Sequence, residues 1–322
     1  FLIIYCTTKK LPNMTDLVKS AVSNNQFLSE FDLHFQNLVS NWVIIMVLVA
    51  LACFIVSEIT RNYSQVDKLW SLMPIVYSWV TVSSFPSARL SLMATLVTIW
   101  GLRLSYNFGR KGGYSFIPWQ GAEDYRWQVM RDNPLLKGRF RFGLFNLLFI
   151  SFYQNILILL FSSPLLLAAL HQGSSITALD LSAALFMLLF IITEGIADTQ
   201  LFRFHQQKRG AQEADGRFSE SLQKGFMVDG LWRHVRHPNF ASEQAVWISF
   251  YFFGVAASGK WINITAAGAL LLVLLFIGST ILTENISCSK YPDYRQYQND
   301  KPKFIPRITA YNRLEQRTVN ES

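Results

Sequence analysis

Apolar stretches of about the length of a bilayer's hydrocarbon layer recur along this chain, and no other feature restricts its fold so tightly. They fall at 42–59, 69–85, 90–108, 144–168, 179–202, 243–258 and 264–283. Each approaches the roughly 20 residues that cross about 30 Å of hydrocarbon as a helix. The runs at 69–85 and 243–258 are the weakest, being short and interrupted by Pro74 or by polar residues. Backbone groups in lipid must find partners within the segment, and the alternation of a barrel strand is missing, so helices are expected. The expected fold is an all-α polytopic membrane protein with seven transmembrane helices in residues 42–307. A segment 1–41 precedes it and a polar tail 308–322 follows. The stretch FLIIYCTTKKLPN lacks a small-residue cleavage site and is not read as a signal peptide; a start at Met14 is the expectation.

Composition agrees with a bilayer. Hydrophobic residues make up 51% of the 322, and only 16% are charged, against about a quarter in soluble domains. The net charge of +8 raises the possibility of nucleic acid, but the distribution of the basic residues gives another explanation. With seven crossings, 24 of the 29 Lys and Arg fall on the side holding loops 60–68, 109–143, 203–242 and the C-terminus. Lys9, Lys10, Lys19, Arg89 and Lys260 fall on the other. Such asymmetry places the large loops and C-terminus in the cytosol. The expected location is the endoplasmic reticulum membrane in a eukaryote or the inner membrane in a bacterium. No nucleic-acid module accompanies the charge, and no obligate protein partner is inferred. Cys6, Cys53 and Cys288 are too scattered for a disulfide framework or a zinc site.

The chemistry concentrates in four stretches. In LFMLLFIITEGIADTQLFRFHQQ, Glu194 and Asp198 share one helical face, and His205 continues it. Carboxylates at membrane depth are functional or tightly paired; the plain alternative is pairing with Arg103 or Arg203. In GLWRHVRHPNFASE, Pro238 marks loop turning into helix. Arg233, Arg236, His237, Asn239 and Glu243 surround that helix start, which favours phosphate. His234 and His237, lacking a third ligand, make a poor zinc pair, and no metal is expected. In KYPDYRQYQNDKPKFIP, Tyr291, Tyr294 and Tyr297 recur every three residues; for Tyr297, a place in the membrane's aromatic belt is the better expectation. In TIWGLRLSYNFGRKGG, Arg103 and Tyr106 lie three apart, a cation beside a possible proton donor. GRKGG is neither a dinucleotide fingerprint nor a P-loop. One polar chamber at the cytosolic helix ends would unite Arg103, Glu194, Asp198, Arg203, Arg236, Glu243 and Glu284.

In this order, QVDKLW, WGLRLSYNFGR…EDYRW, EGIADTQLFRF, GLWRHVRHPNFASE and TEN…KYPDYRQY resemble the steroid 5α-reductase C-terminal-domain superfamily. The nearest branch is one of uncharacterised membrane proteins, and the resemblance covers roughly residues 42–307. It implies a seven-helix bundle, of the 5α-reductase and isoprenylcysteine-methyltransferase type, that binds NADPH and reduces an activated C=C bond of a lipid. On this resemblance Asp198 matches an acidic cofactor ligand, and Asn239 with Glu243 matches the polar pair before the sixth helix, with Arg236 beside them. Tyr294 matches an aromatic position of the tail motif and Arg103 an arginine after the third helix. The reductases' substrate-gripping Gln-Glu pair finds only Gln65 and Asp67 here. Their third-helix His-Tyr pair is replaced by Ile99 and Trp100, which leaves Tyr106 or Asp67 to polarise the substrate. The alternative is an S-adenosylmethionine-dependent membrane methyltransferase acting on isoprenylcysteine or phospholipid. Arg203, Arg233, Arg236 and Arg295 suit the phosphates of NADPH better than a sulfonium. A non-enzymatic scaffold is the third possibility, and buried carboxylates argue against it.

Overall fold

The computed structural model describes residues 14–117, 121–213 and 215–306, with side chains from Ser29 onward. Cys6, the stretch before Met14 and the tail beyond 306 lie outside the described residues. Among the described residues every regular element is helical. In chain order these are α1 (Met14–Thr60), α2 (Gln65–Leu69), α3 (Met73–Ser84), α4 (Ala88–Arg110) and α5 (Tyr125–Asp132). Next, α6 (Arg139–Phe145) runs through a π-helical stretch (Asn146–Tyr153) into α7 (Gln154–Ser162) and α8 (Pro164–Leu170). Last come α9 (Ala178–Lys208), α10 (Ser219–Lys224), a 3₁₀ turn (Gly230–Arg233), α11 (Pro238–Ser258), α12 (Ala266–Lys290) and α13 (Tyr294–Asp300).

Four helical segments are long and apolar enough to cross a membrane: Ser29–Thr60, Arg139–Leu170, Ala178–Lys208 and Ala266–Lys290. They contain the runs expected at 42–59, 144–168 and 179–202, and all but the first two residues of the run at 264–283. Their outer surfaces carry exposed Leu48, Ile55, Leu185, Ile192 and Leu274, the pattern of a lipid-facing wall. The architecture fits a multi-pass membrane protein. The runs at 69–85, 90–108 and 243–258 also fold as helices, α3, α4 and α11. Of these, α3 has 12 residues, about 18 Å at 1.5 Å per residue, because the chain turns at Trp70–Leu72 before Met73 and Pro74 open it.

Local signals set the helix ends. Ser87 caps α4 by accepting from the Leu90 amide at 3.2 Å. Thr177 and Asp180 form a reciprocal capping box that starts α9. Pro164 breaks the Arg139–Leu170 segment between α7 and α8. Gly259, at φ 70°, ends α11 in the left-handed conformation.

The interior is one apolar cluster containing Trp42, Tyr77, Trp100, Phe161, Trp247 and Phe250. Its densest packing joins α9 to α11, which run side by side. α12 approaches α7 closely at Gly268, where any Cβ would collide with the Leu160 carbonyl. Two small clusters lie under the loops at the far end of α9: Phe204, Phe218, Met227 and Trp232, and then Phe226, Val228, Tyr294 and Tyr297.

Candidate functional site

Residues three and four apart on α4 build one side of the site. Trp100, Arg103, Asn107 and Arg110 point from it toward α9 and α11. The Arg103 guanidinium lies 2.6 Å from Glu194, 2.9 Å from Asp198 and 3.9 Å from Glu243. Asp198 also accepts from Asn107 at 2.8 Å and from Asn239 at 3.3 Å. Glu243 accepts from two indoles, Trp100 at 2.8 Å and Trp247 at 3.1 Å. All three carboxylates are buried. The floor thus sets three acids against one guanidinium, a net negative centre lined with neutral donors. Its hydrogen bonding is incomplete: Glu194 Oε2 and Arg103 Nη2 face each other at 2.6 Å, but Asn239 Oδ1 and Arg103 Nε have no hydrogen-bond partner among the described residues.

A cation lies beside this floor. Lys111, just past the end of α4, is solvent-exposed, yet burial pushes its ammonium below the ordinary lysine value; Asp198, Arg110, Arg103 and Asp124 also act on it. His205, on the Glu194 face of α9, sits in the field of Arg209, Lys208, Lys111 and Lys290. The acidic, hydrogen-bonding floor thus has Lys111 at its edge, and a basic rim of Lys208, Arg209 and Lys290 continues from it around His205.

A second wall comes from α2 and α5. The Trp127 indole donates to Asp67 at 2.8 Å, and burial raises the Asp67 carboxyl above the ordinary aspartate value. Beside it Arg126 grips Asp124 through two bonds of 2.9 and 2.8 Å and donates to Ser279 on α12 at 2.9 Å. Burial would raise Asp124, but the Arg126 charge and hydrogen bonds outweigh it and hold that carboxyl low. Gln65 is buried and donates to the Asn62 carbonyl at 3.0 Å, bracing the loop before α2.

The single chamber expected from sequence divides into parts. Arg103, Glu194, Asp198, Asn239 and Glu243 come together. Arg236, His237 and Glu284 form a separate buried knot, with Glu284 2.6 Å from Arg236 and 3.0 Å from His237. Arg236 also donates to the carbonyls of Gln298, at 2.7 Å, and Lys301. The Arg236 and His237 amides bond the carbonyls of Pro302 and Lys303 at 2.9 and 3.1 Å. This knot ties the segment after α13 to the first turn of α11.

Other positions point elsewhere. Tyr106 is 69% exposed, with the Arg110 guanidinium 5.4 Å from its ring centre. Arg203 is exposed; five residues beyond Asp198 it is turned about 140° around α9. Arg233 and Arg295 are also exposed, and Arg233 lies 3.5 Å from Asp229. Tyr294 is buried against Phe226. Tyr297 is likewise interior rather than in an aromatic belt, and its hydroxyl donates to the Trp232 carbonyl at 2.5 Å. Sequence reasoning missed Trp100, Asn107, Lys111 and Trp247. The 3–4 spacing that links Trp100 and Asn107 to Arg103 was the available signal. Among the described residues no cluster of His, Cys, Asp or Glu is placed to hold a metal ion.

An uncharacterised protein of Schizosaccharomyces pombe, C594.04c, is 39% identical over 266 residues, 79% of this chain and 75% of the yeast protein. No solved structure matches the chain. The model of a family described as proteins of unknown function, DUF1295, matches residues 53–301, a span that includes Arg103, Asp198, Asn239 and Glu243. The chain belongs to the DUF1295 family.

Proposed function

We propose that this protein is a seven-helix membrane oxidoreductase that binds NADPH between the acidic floor and the basic rim and reduces an activated C=C bond of a lipid. The observation that carries the reading is this layering of charge. Asn239 Oδ1 and Arg103 Nε offer an acceptor and a donor without hydrogen-bond partners among the described residues. A carboxamide or a ribose, which both donates and accepts, fits that set. The rim of Lys111, Lys208, Arg209 and Lys290 suits phosphates. When bound, NADPH supplies a hydride to the β-carbon of an enone-like substrate, and the α-carbon takes a proton. Within the protein, Asp67 is the best-placed group to hold that proton: burial favours its protonated form, while Tyr106 faces outward. Asp67 connects electrostatically to the floor through Asp124 and Lys111, each in the field of the next. The resemblance to steroid 5α-reductases supports the same assignment. A sterol or steroid, an isoprenoid or a fatty-acyl chain would meet the apolar interior equally well.

In this reading α3, α4 and α11 complete seven crossings, and the basic loops face the cytosol. One observation favours a second reading. Three carboxylates against one guanidinium suit a cation, so S-adenosylmethionine, carrying a sulfonium, is the alternative cofactor of a membrane methyltransferase. Melting of the detergent-purified protein separates the two, because a ligand that binds only the native state raises the transition. A rise with NADPH, but not with S-adenosylmethionine, supports reduction. A rise with S-adenosylmethionine alone transfers the site to methyl transfer, and no rise with either refutes both. In cells lacking the protein, lipid analysis should show accumulation of a species two hydrogens poorer than its product.

A further inference from the structure

On the face of α9 opposite Glu194 and Asp198, the residues Ile192, Ile196, Thr199 and Arg203 follow one another at helical spacing. They line a groove of about 530 Å³ whose other wall includes Arg217 and Phe218. Gly230, at φ 63°, presses against Gln200; a Cβ there would lie 2.6 Å from the Gln200 amide. The Leu231 amide donates to the same side chain at 3.0 Å, so this wall is braced rather than loose. The groove opens sideways: Ile192 is 59% and Ile196 48% exposed, on a helix long and apolar enough to span a membrane.

Above those isoleucines the charge changes abruptly. Arg203 has no acidic side chain within ion-pair distance among the described residues, and Arg217 has only the solvent-exposed Asp215 at 3.1 Å. Along the helix Arg203 stands about 10 Å beyond Ile196 and about 16 Å beyond Ile192. A phospholipid presents the same order over the same distance, with an anionic phosphate at the water boundary and acyl methylenes below it. A soluble anion would use the arginines but leave the isoleucines without a role.

We propose that this groove binds one phospholipid of the adjacent leaflet that carries an anionic headgroup. Arg203 and Arg217 hold its phosphate, and Ile192, Ile196 and Phe218 pack against the start of an acyl chain. Arginine suits the phosphate because its fork offers paired donors, and a basic pocket beside a transmembrane helix is a recognised setting for lipid headgroups. The site is separate from the acidic floor and does not depend on the proposed reduction.

The test uses the full chain in neutral detergent, with dioleoyl phosphatidylglycerol, dioleoyl phosphatidylcholine or inorganic phosphate added. The readouts are lipid retained in native mass spectrometry and the melting transition. Phosphatidylglycerol should bind at least about tenfold more tightly than phosphatidylcholine, and inorganic phosphate should give no comparable shift. The pair Arg203→Gln with Arg217→Gln should erase the preference between the lipids. Ile192→Gln with Ile196→Gln should weaken phosphatidylglycerol while leaving both arginines in place. Equal binding of the two lipids by the unaltered protein would overturn the proposal. So would a full effect from inorganic phosphate, or an unchanged preference after the arginines are replaced. Because no nucleotide is used, failure here leaves the cofactor reading untouched, and failure of that reading leaves this one standing.

Discussion

Replacing Arg103 with methionine removes the cation that holds three buried acids together while keeping most of the side chain's volume. Within 4 Å, Arg103 is the cationic partner of Glu194, Asp198 and Glu243 among the described residues. After the change Asp198 keeps Asn107 and Asn239, and Glu243 keeps its two indoles. Glu194 is left with the least compensation. Breaking a buried ion pair by removing one partner costs about 3–5 kcal/mol. In domains of 150–250 residues each 1 kcal/mol moves the melting point roughly 2–4 °C, so the variant should melt roughly 6–20 °C below the parent. Adding Glu194→Met removes the least compensated acid and should restore part of the loss. The resulting coupling should lie within the 0.5–3 kcal/mol found for residues in contact. Melting of both variants in one detergent, followed by intrinsic fluorescence, provides the measurement. A single variant within about 2 °C of the parent, or a double variant whose losses simply add, would refute the idea of a charge-dependent floor.

Three further outcomes are expected. Lys111 binds its proton more weakly in the native state than in the unfolded chain. Its charge is therefore lost at lower pH than an ordinary lysine's: NADPH affinity should begin to fall below pH ~10.5, while stability without ligand rises over the same interval. Lys111→Arg should carry tight binding to higher pH in a fluorescence titration. Gly268→Leu pushes α12 off the Leu160 carbonyl; overpacking of about 1–3 kcal/mol or more should appear as a lower melting point with the NADPH response retained in whatever protein folds. Arg89 holds Asp180 through two bonds of 2.7 and 2.9 Å at a buried site. Arg89→Ala should cost about 3–5 kcal/mol, and Arg89→Lys should recover only part, because an ammonium cannot reproduce the paired geometry.

Much of the helix pattern was legible because hydrocarbon leaves the backbone few choices. The runs at 42–59, 144–168 and 179–202 each fall within a helix of spanning length, and the run at 264–283 does so from Ala266 onward. The turn at Trp70–Leu72 was not legible, since its residues are as apolar as the helix they interrupt. Nor was the π-helical stretch Asn146–Tyr153. There the Asn146 amide donates to Glu58, 88 residues earlier, at 2.9 Å, and no local pattern announces such a bond. Within the site, spacing within one helix worked for Glu194 with Asp198 and for Asn239 with Glu243. It failed where basic residues were pooled without regard to face. Arg203 belongs to the outer side of α9, and Tyr106 turns away because Trp100, Arg103 and Asn107 define the inner side of α4. Arg236 and Glu284 were rightly grouped although they stand 48 residues apart, but no local spacing announced that they pair with each other rather than join Arg103 and Asp198.

The knot at Arg236 and His237 has a consequence for how the chain can be cut or extended. Its bonds reach the carbonyls of Lys301, Pro302 and Lys303, so a segment lacking regular structure acts as the strap that seats the start of α11. Asn239 stands on that first turn. Truncation at Asp300 would leave each described helix intact yet loosen the turn whose amide touches Asp198, making three residues beyond α13 an indirect fastening for the acidic floor.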